Sequence, residues 1–185
     1  MRDVKFHPDH YYHIYNRGVD KRTIFEDDYD KIRFLSSIQK LNEGSLKILC
    51  FCLMDNHFHL LIQPEHVDSI PTYMARLGNS YTKYFNAKYG RSGRLFQGPY
   101  QAVQINTDAH LLHITRYIHL NPTGGKFTEY DSGTYRWTSL QDYLFDQDNE
   151  FVSEYPVLNS FSSREDYSTF LSEWNSYQPL GLGCL

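Results

Sequence analysis

Residues 46–63, LKILCFCLMDNHFHLLIQ, constrain the fold more than any other stretch of the chain. Two apolar runs flank Asp55 and Asn56, whose side chains bond to their own backbone and tolerate left-handed dihedral angles. The pattern predicts two antiparallel strands joined by a tight turn. Because side chains alternate along a strand, His57 and His59 should share one face, about 7 Å apart, with apolar neighbours on the other. We therefore expect two histidines displayed on a sheet whose opposite face is buried.

The chain before this hairpin predicts a strand and a helix. Residues 10–17, HYYHIYNR, alternate and are rich in strand-forming tyrosine. Asp27 or Asp28 can cap a helix that Gly44 ends. Four apolar residues at roughly helical spacing predict the buried stripe of that helix: Ile32, Leu35, Ile38 and Leu41.

The chain after the hairpin completes a recognisable order. Ser69, with Pro71 in the first turn, begins a long helix that stops at Gly90. Its predicted buried side contains Met74, Leu77, Tyr81 and Tyr84 or Phe85. A polar loop and a strand over 100–106 follow. The order β-α-β-β-α-β predicts a ferredoxin-like or RRM-like fold of the α/β (α+β) class, with an antiparallel sheet, helices on one face and the other face open.

A further helix follows the fourth strand, capped by Asp108 and closed by Pro122. Its apolar stripe is predicted to contain Leu111, Ile114 and Ile118. A different face carries four polar residues, which are His110, His113, Tyr117 and Asn121. A core-facing role for Tyr117 is the competing interpretation, but this tyrosine lies off the apolar stripe.

We expect one domain over residues 1–148 and a tail over 149–185. Within the tail, residues 163–166 resemble a capping box and start an amphipathic helix that must dock on the domain or on a partner. Its apolar positions are Tyr167, Phe170, Leu171 and Trp174. This tail favours a monomer over a dimer. Tyr135 and Trp137, just before it, could stack on a base, although packing against the core is the favoured interpretation.

The charge distribution predicts a localised anionic partner. The net charge of −4 argues against a protein that coats duplex DNA by bulk electrostatics. However, residues 69–107 contain basic but no acidic side chains, whereas residues 142–166 are strongly acidic. Basic residues interleaved with Tyr81, Tyr84, Phe85 and Tyr89 could neutralise phosphates and stack on unpaired bases, unless the aromatic rings form core. The candidate contacts are Arg17, Lys21, Arg22, Lys83, Lys88, Arg91, Arg94 and Arg116.

Cysteine usage and hydropathy predict the compartment. Cys50 and Cys52, two residues apart on one strand, are unsuited to a mutual disulfide and are expected to be buried thiols. No apolar run approaches the roughly 18 residues that span a bilayer, and the amino terminus has no apolar signal region. We expect a soluble cytoplasmic protein without membrane association, which joins the nucleoid when it binds DNA.

The polar residues of the hairpin and the later helix permit phosphodiester chemistry. If His57, His59 and Asn121 hold a divalent cation, two neutral imidazoles and an amide leave its Lewis acidity intact and positions open for a phosphate. Tyr117, one helical turn before Asn121, could then attack phosphorus. A phenol with an ordinary pKa of about 10 needs activation, by the metal's charge or by His113 or His110. The phosphotyrosine bond would conserve the energy of the broken phosphodiester, so rejoining would need no ATP.

At these residues the chain resembles a known family. LMDNHFHLLIQP and RYIHLNP, together with YNRG and GRLFQGPYQA, are similar to motifs of the HUH-type single-tyrosine transposases of insertion sequences, in the branch called REP-associated tyrosine transposases. The resemblance runs from about Tyr12 to Leu144. It implies an RRM-like domain that binds single-stranded hairpin DNA and nicks it through a 5′-phosphotyrosine with Mg²⁺ or Mn²⁺. It assigns Tyr117 as the nucleophile and His57, His59 and Asn121 as metal ligands.

The chain departs from the family pattern at two places. Asp55 stands where the family commonly has proline, which puts a carboxylate near the site and could shift metal affinity. After Asn121-Pro122 the chain continues Thr-Gly-Gly-Lys rather than valine and an early basic residue, which puts a DNA contact in doubt. Two alternatives to a nicking enzyme are a domesticated protein that binds hairpin DNA with little or no cleavage, and an RRM-like protein that binds RNA on its sheet.

Overall fold

The computed structural model of the chain describes residues 4–125, 135–145 and 151–173. The elements in chain order are β1 (Tyr11–Arg17), α1 (Asp28–Asn42), β2 (Leu46–Met54), β3 (His57–Pro64), α2 (Ser69–Lys88), β4 (Gln101–Ile105), α3 (Asp108–His119), α4 (Leu140–Leu144), α5 (Tyr155–Leu158) and α6 (Arg164–Ser172). Short 3₁₀ turns occupy Val19–Lys21 and Asn121–Thr123. The four strands form an antiparallel sheet in the order β2-β3-β1-β4. The predicted α+β class and element order are confirmed.

The hairpin of β2 and β3 turns at residues 55–56, as predicted. β3 is an interior strand, flanked by β2 and β1. On one of its faces, Phe58 packs with its ring 5.0 Å from that of Phe34 on α1. The other face carries His57 and His59. The alternation along β3 therefore separates an apolar layer from a polar one.

The buried face of α1 is partly polar, and the predicted stripe is wrong in one position. Asp27 caps the helix by accepting a hydrogen bond from the backbone N–H of Asp30 at 3.0 Å. Phe34 is fully buried, but Ile32 is 51 % exposed. Buried Asp30 and Lys31 have ionic partners and occupy the core-facing side in place of Ile32. An apolar periodicity cannot detect a helix face that buries paired charges.

The aromatic residues of α2 belong to the core. Met74 and Leu77 are buried as predicted, and Tyr81 and Phe85 are fully buried. The interpretation that these rings form core is therefore confirmed for Tyr81 and Phe85, and the alternative that they stack on DNA bases is excluded because solvent does not reach them. The hydroxyls of Tyr84 and Tyr89 donate hydrogen bonds to the buried carboxylate of Asp30, at 2.9 and 2.8 Å. All four rings tie α2 to its own domain.

α3 covers the sheet face opposite α1 and α2 by packing on β2 and β3. Thr107 caps it by accepting a hydrogen bond from the backbone N–H of His110 at 3.1 Å. The prediction that Asp108 caps this helix is wrong by one residue, because Thr107 has the extended backbone of a cap whereas Asp108 is already helical. The predicted apolar stripe is buried: Leu111, Ile114 and Ile118.

The carboxyl-terminal helices pack on α3. The ring of buried His119 lies 2.7 Å from the Tyr167 hydroxyl and 3.0 Å from Ser139 Oγ. The guanidinium of Arg116 lies 3.8 Å from the ring centroid of Phe170 and donates to its carbonyl oxygen at 2.7 Å. The amphipathic helix of the tail thus docks on its own domain.

The ends of this tail helix and the segment before it follow the expected pattern. Ser163 caps α6 by accepting a hydrogen bond from the backbone N–H of Asp166 at 3.2 Å. Trp174, expected on its apolar face, lies outside the described residues. Tyr135 donates to the carbonyl oxygen of Leu53 and Trp137 is buried, so both pack against the sheet as favoured above.

Cys50 and Cys52 are buried free thiols, as expected. Burial raises the pKa of both thiols well above the ordinary value. Within the described ranges, every helix is too short or too polar to cross a bilayer.

The contrast between Phe34 and Ile32 gives a test of the packing. Phe34→Ala should lower the free energy of unfolding by about 3–5 kcal/mol, because it empties a fully buried position. Ile32→Ala on the same helix should change it by less than about 0.5 kcal/mol, because Ile32 is exposed. Urea denaturation measures both values. Equal losses in the two variants would contradict the orientation of α1.

Candidate functional site

The histidines of β3 lie beside each other under α3. His59 is fully buried and His57 is partly buried. Their rings meet edge to face, with centroids 5.1 Å apart. The two side chains share one face of the strand, as the alternation predicts.

α3 brings the two other predicted residues to these histidines. The ring of Tyr117 stands edge-on to that of His59, with centroids 5.4 Å apart. The side-chain oxygen of Asn121 lies 3.0 Å from Nε2 of His57. Asn121 opens the 3₁₀ turn after α3, one helical turn beyond Tyr117. One chain therefore assembles all four side chains.

The Nδ1 atoms of both histidines have partners within the chain. Nδ1 of His57 lies 2.6 Å from the side-chain oxygen of Asn56. The amide nitrogen of Asn56 donates to the carbonyl oxygen of Lys21 at 3.2 Å, which directs the amide oxygen toward His57. Nδ1 of His59 lies 2.8 Å from Nε2 of His13. In both rings Nε2 is consequently the atom left to face a ligand.

The sequence analysis did not identify His13. This residue lies on β1 opposite Leu61, is fully buried, and stacks on Tyr15 with ring centroids 5.0 Å apart. The alternation of side chains along residues 10–17 was sufficient to predict the position of His13. Because Ile14 faces the core under α1 and α2, His13 and Tyr15 must lie on the face that carries the hairpin histidines.

Three donor atoms at this face fit a divalent cation. With Nδ1 of His57 donating to Asn56, its Nε2 presents a lone pair to the carbonyl oxygen of Asn121, and a cation is the group that would satisfy both. Nε2 of His59 is buried and has no hydrogen-bond partner among the described residues, so it can offer a third lone pair. Among the residues that the structure describes, no three His, Cys, Asp or Glu side chains are grouped to hold a metal. An amide oxygen must therefore complete such a site.

Burial lowers the pKa of all three site histidines. It lowers the pKa of His13 to about 3, and the nearby His110 adds to the effect. It also holds the pKa of His59 well below the ordinary value, with further contributions from His13 and His57. For His57, burial lowers the pKa and the contact with Asn121 partly offsets it. These imidazoles are neutral near pH 7 and keep lone pairs for a ligand.

His113, the predicted proton relay, lies one helical turn before Tyr117 on α3. Its pKa is lowered by burial first, and then by the charges of Arg116 and His110. A neutral imidazole at this position can accept a proton near pH 7.

Two of the basic residues predicted to contact DNA have partners inside the fold. Lys88 donates to the carboxylates of Asp27 and Asp30 at 2.8–2.9 Å. Arg116 is only 8 % exposed, because its guanidinium packs on Phe170 of α6. Both residues join one element to another, a role that the sequence analysis did not assign to them.

Four of the other candidates lie nearer the surface. Arg17 pairs with His57 across β1 and β3, and donates to the side chain of Gln97. Lys83 and Arg94 are exposed and line a groove of about 640 Å³ between α2 and the segment before β4. The guanidinium of Arg91 lies 5.7 Å from the ring centroid of Phe85.

The carboxylate of Asp55 is directed away from the candidate site. It accepts a hydrogen bond from the amine of Lys31 at 2.7 Å. Its backbone carbonyl accepts from the N–H groups of Ile24 and Phe25, at 2.8 and 3.0 Å. The first departure from the family pattern therefore links the hairpin turn to α1.

The second departure follows Asn121. The N–H of Gly125 donates to the carbonyl oxygen of Leu120 at 3.0 Å, and Gly124 has a φ of +64°, which favours glycine. The segment forms a tight turn here, and Lys126 lies outside the described residues.

Comparisons with known proteins match this region. The family model described as "Transposase IS200 like" matches residues 7–121, from just before β1 to Asn121. A solved structure of a REP-associated tyrosine transposase bound to a REP hairpin has the same fold, with a TM-score of 0.60 and 14 % identity over 83 % of this chain and 96 % of that chain. A putative transposase from Deinococcus radiodurans R1 gives a TM-score of 0.42 and 19 % identity over 64 % and 95 % of the two chains. No curated protein matches the chain.

The buried histidines should make the stability of the protein depend on pH. Burial lowers the pKa of His119 to about 3 in the folded state, against about 6.5 when unfolded. Below pH 6.5 the unfolded chain then binds more protons, so stability falls as the pH drops, by up to about 1.4 kcal/mol per pH unit for each such histidine. His119→Gln should reduce the slope of the unfolding free energy against pH by about 1.4 kcal/mol per pH unit, which corresponds to one proton. Urea denaturation between about pH 6.5 and 4 measures this slope.

The control for this measurement is His66→Gln, since His66 is exposed. This variant should keep the slope of the native protein. A His119→Gln variant with an unchanged slope would contradict the neutral, buried state of His119.

Proposed function

The chain belongs to the IS200-like transposase family, and from this premise we propose that it is a metal-dependent single-stranded DNA endonuclease and strand transferase. It acts on hairpin or palindromic DNA through a 5′-phosphotyrosine intermediate. The observation that carries the proposal is the position of Tyr117 beside His57, His59 and Asn121 of the same chain. A nucleophile, two imidazole nitrogens and an amide oxygen are the groups that this reaction needs.

The substrate class follows from the family and from a relative of the same fold. The REP-associated transposase with this fold is bound to a REP hairpin. We extend hairpin DNA to the present chain as part of the proposal. α3 lies across β2 and β3 on the face where an RRM-like protein would stack RNA bases, which argues against the RNA-binding alternative.

His57, His59 and Asn121 would hold Mg²⁺ or Mn²⁺, and the bound cation would supply positive charge to polarise the scissile phosphate. The hydroxyl oxygen of Tyr117 attacks phosphorus, and the bond from phosphorus to the 3′ oxygen breaks. The phosphorus is then bonded to the tyrosine oxygen and remains bonded to the 5′ oxygen of the downstream nucleotide. The 3′ oxygen of the upstream strand leaves with a proton, as a 3′ hydroxyl. Attack by a 3′ hydroxyl reverses these steps, so the strand is rejoined without another energy source.

His113 is the proposed carrier of the proton in this exchange. It accepts the phenolic proton of Tyr117 during attack and returns a proton to the departing 3′ oxygen. The lowered pKa of His113 keeps the imidazole able to accept near neutral pH. No net proton is gained or lost over cleavage and rejoining.

The proposed DNA surface extends from the catalytic face past the end of β1. Arg17 lies opposite His57 at one end of it, and Lys83, Arg91 and Arg94 lie on α2 and the following loop. We further propose that the protein acts as a monomer, since Tyr117 faces histidines of its own chain and α6 docks on its helix.

The nucleophile can be tested with a labelled hairpin oligonucleotide and Mn²⁺. The native protein should form a covalent adduct, and Tyr117→Phe should abolish it because no other atom replaces the attacking oxygen. Tyr15→Phe is the matched control, since the Tyr15 ring lies 5.9 Å from His59 on the same face. The adduct is measured by denaturing electrophoresis.

Two results of this experiment would contradict the assignment. An adduct that survives Tyr117→Phe but not Tyr15→Phe would make Tyr15 the nucleophile. Tight hairpin binding by the native protein without nicking, with Mg²⁺ and with Mn²⁺, would establish the domesticated DNA-binding alternative.

The DNA surface can be tested by the salt dependence of hairpin binding. Lys83→Ala and Arg94→Ala should each weaken binding and lower the slope of log K against log salt by about 1, because each removes one phosphate contact. Arg76→Ala is the control on α2, since Arg76 is paired with Glu43 at 2.8 Å. A slope that falls equally in all three variants would contradict the proposed surface.

A further inference from the structure

His13 has no role in the reaction described above, although its position is closely defined. It is fully buried on β1, and its Nε2 lies 2.8 Å from Nδ1 of His59. The two rings are stacked at an interplanar angle of 25°, and the Tyr15 ring stacks on His13 with ring centroids 5.0 Å apart. A buried polar ring at this position must have a partner, and that partner is a proposed metal ligand.

The protons of the pair can be counted. A neutral imidazole carries one proton on its two nitrogens, so the pair distributes two protons among four nitrogens. One proton lies in the contact between the rings. The second lies on either Nδ1 of His13 or Nε2 of His59, and both atoms are buried without a hydrogen-bond partner in the part of the chain that the structure describes. When the second proton is on Nδ1 of His13, the proton in the contact belongs to Nδ1 of His59. Only this arrangement leaves a lone pair on Nε2 of His59.

His57, the other proposed ligand, has an amide rather than an imidazole as the partner of its Nδ1 atom. Asn56 presents an amide oxygen to Nδ1 of His57, and this oxygen can only accept a hydrogen bond. Of the two amide oxygens near His57, that of Asn56 is the closer, at 2.6 Å from Nδ1 against 3.0 Å between Asn121 and Nε2, and this favours the proton of His57 on Nδ1. His59 has no such amide, and its tautomer depends on His13.

We propose that His13 is a positioning residue for the metal site, which accepts the hydrogen bond from Nδ1 of His59 and so presents the Nε2 lone pair of His59 to the cation. As far as the metal is concerned, this inference rests on the proposed function. A hydrogen-bonded partner of this kind holds the ring orientation as well as the tautomer, and its loss commonly weakens metal binding by about 10- to 100-fold.

The inference is tested with two variants at one position. His13→Phe keeps a planar ring in the space but removes the acceptor, whereas His13→Gln places an amide oxygen near the position of Nε2. Mn²⁺ binding by calorimetry should weaken about 10- to 100-fold in His13→Phe and only a few-fold in His13→Gln. His66→Phe, which changes an exposed histidine outside the site, should bind Mn²⁺ as the native protein does.

A second measurement follows the tautomer itself. Ring ¹⁵N NMR of the metal-free native protein should place the His59 proton on Nδ1, and His13→Gln should keep it there. In His13→Phe the proton should move to Nε2, because no acceptor remains at Nδ1. A residue that only fills space would leave this signal unchanged.

The outcomes separate this inference from the proposed function. If the native protein binds no Mn²⁺, the metal site fails, and the NMR signals still decide the role of His13. The inference is overturned by a native His59 protonated on Nε2, or by His13→Phe with native tautomer and native Mn²⁺ affinity. If His13→Phe does not fold, the native protein and His13→Gln supply the same NMR test.

Discussion

The register of β3 in the sheet is the constraint on which the other features depend. A shift of one residue would turn Phe58 toward α3 and place His57 and His59 in the apolar layer against Phe34. The two-residue turn and the antiparallel pairing with both β2 and β1 hold this register. Because β3 is an interior strand, neither neighbour can slip without breaking its ladder. The same pairing brings Tyr15 opposite His59 and Arg17 opposite His57.

Because α3 covers the polar face of the sheet, the polar side chains on that face need hydrogen-bond partners within the protein. A histidine on an open face would be solvated, but under α3 its ring nitrogens lose water and need partners within the protein. His59 obtains His13, and at the end of α3 His119 obtains Tyr167 and Ser139. The helix that carries Tyr117 is thus hydrogen-bonded to the tail on one side and packed on the sheet on the other. Under the proposed function, the nucleophile on this helix therefore has little freedom of orientation.

Local pattern was sufficient for the order of elements and for bringing together the four residues of the candidate site, because alternation and helical spacing specify a face directly. It failed where burial is polar. Ile32 lies outside the core because Asp30 and Lys31 are buried with partners distant in sequence. The partners of Lys88 and Arg116 within the fold were not predicted for the same reason, since the carboxylates and the ring that engage them come from other elements. Contacts between residues so far apart in sequence leave no periodic pattern that could be recognised in a single sequence.

The charge of the site follows from these pairings. The nearest carboxylate in sequence, that of Asp55, accepts a hydrogen bond from Lys31, and the donors that face α3 are neutral. Under the proposed function, a cation held by neutral donors keeps its full charge for the phosphate, whereas a carboxylate ligand would cancel part of it. Neutral donors also bind a cation less tightly, so the DNA phosphate itself contributes to holding the metal. Metal and hairpin DNA should consequently bind cooperatively, because each supplies the charge that the other lacks.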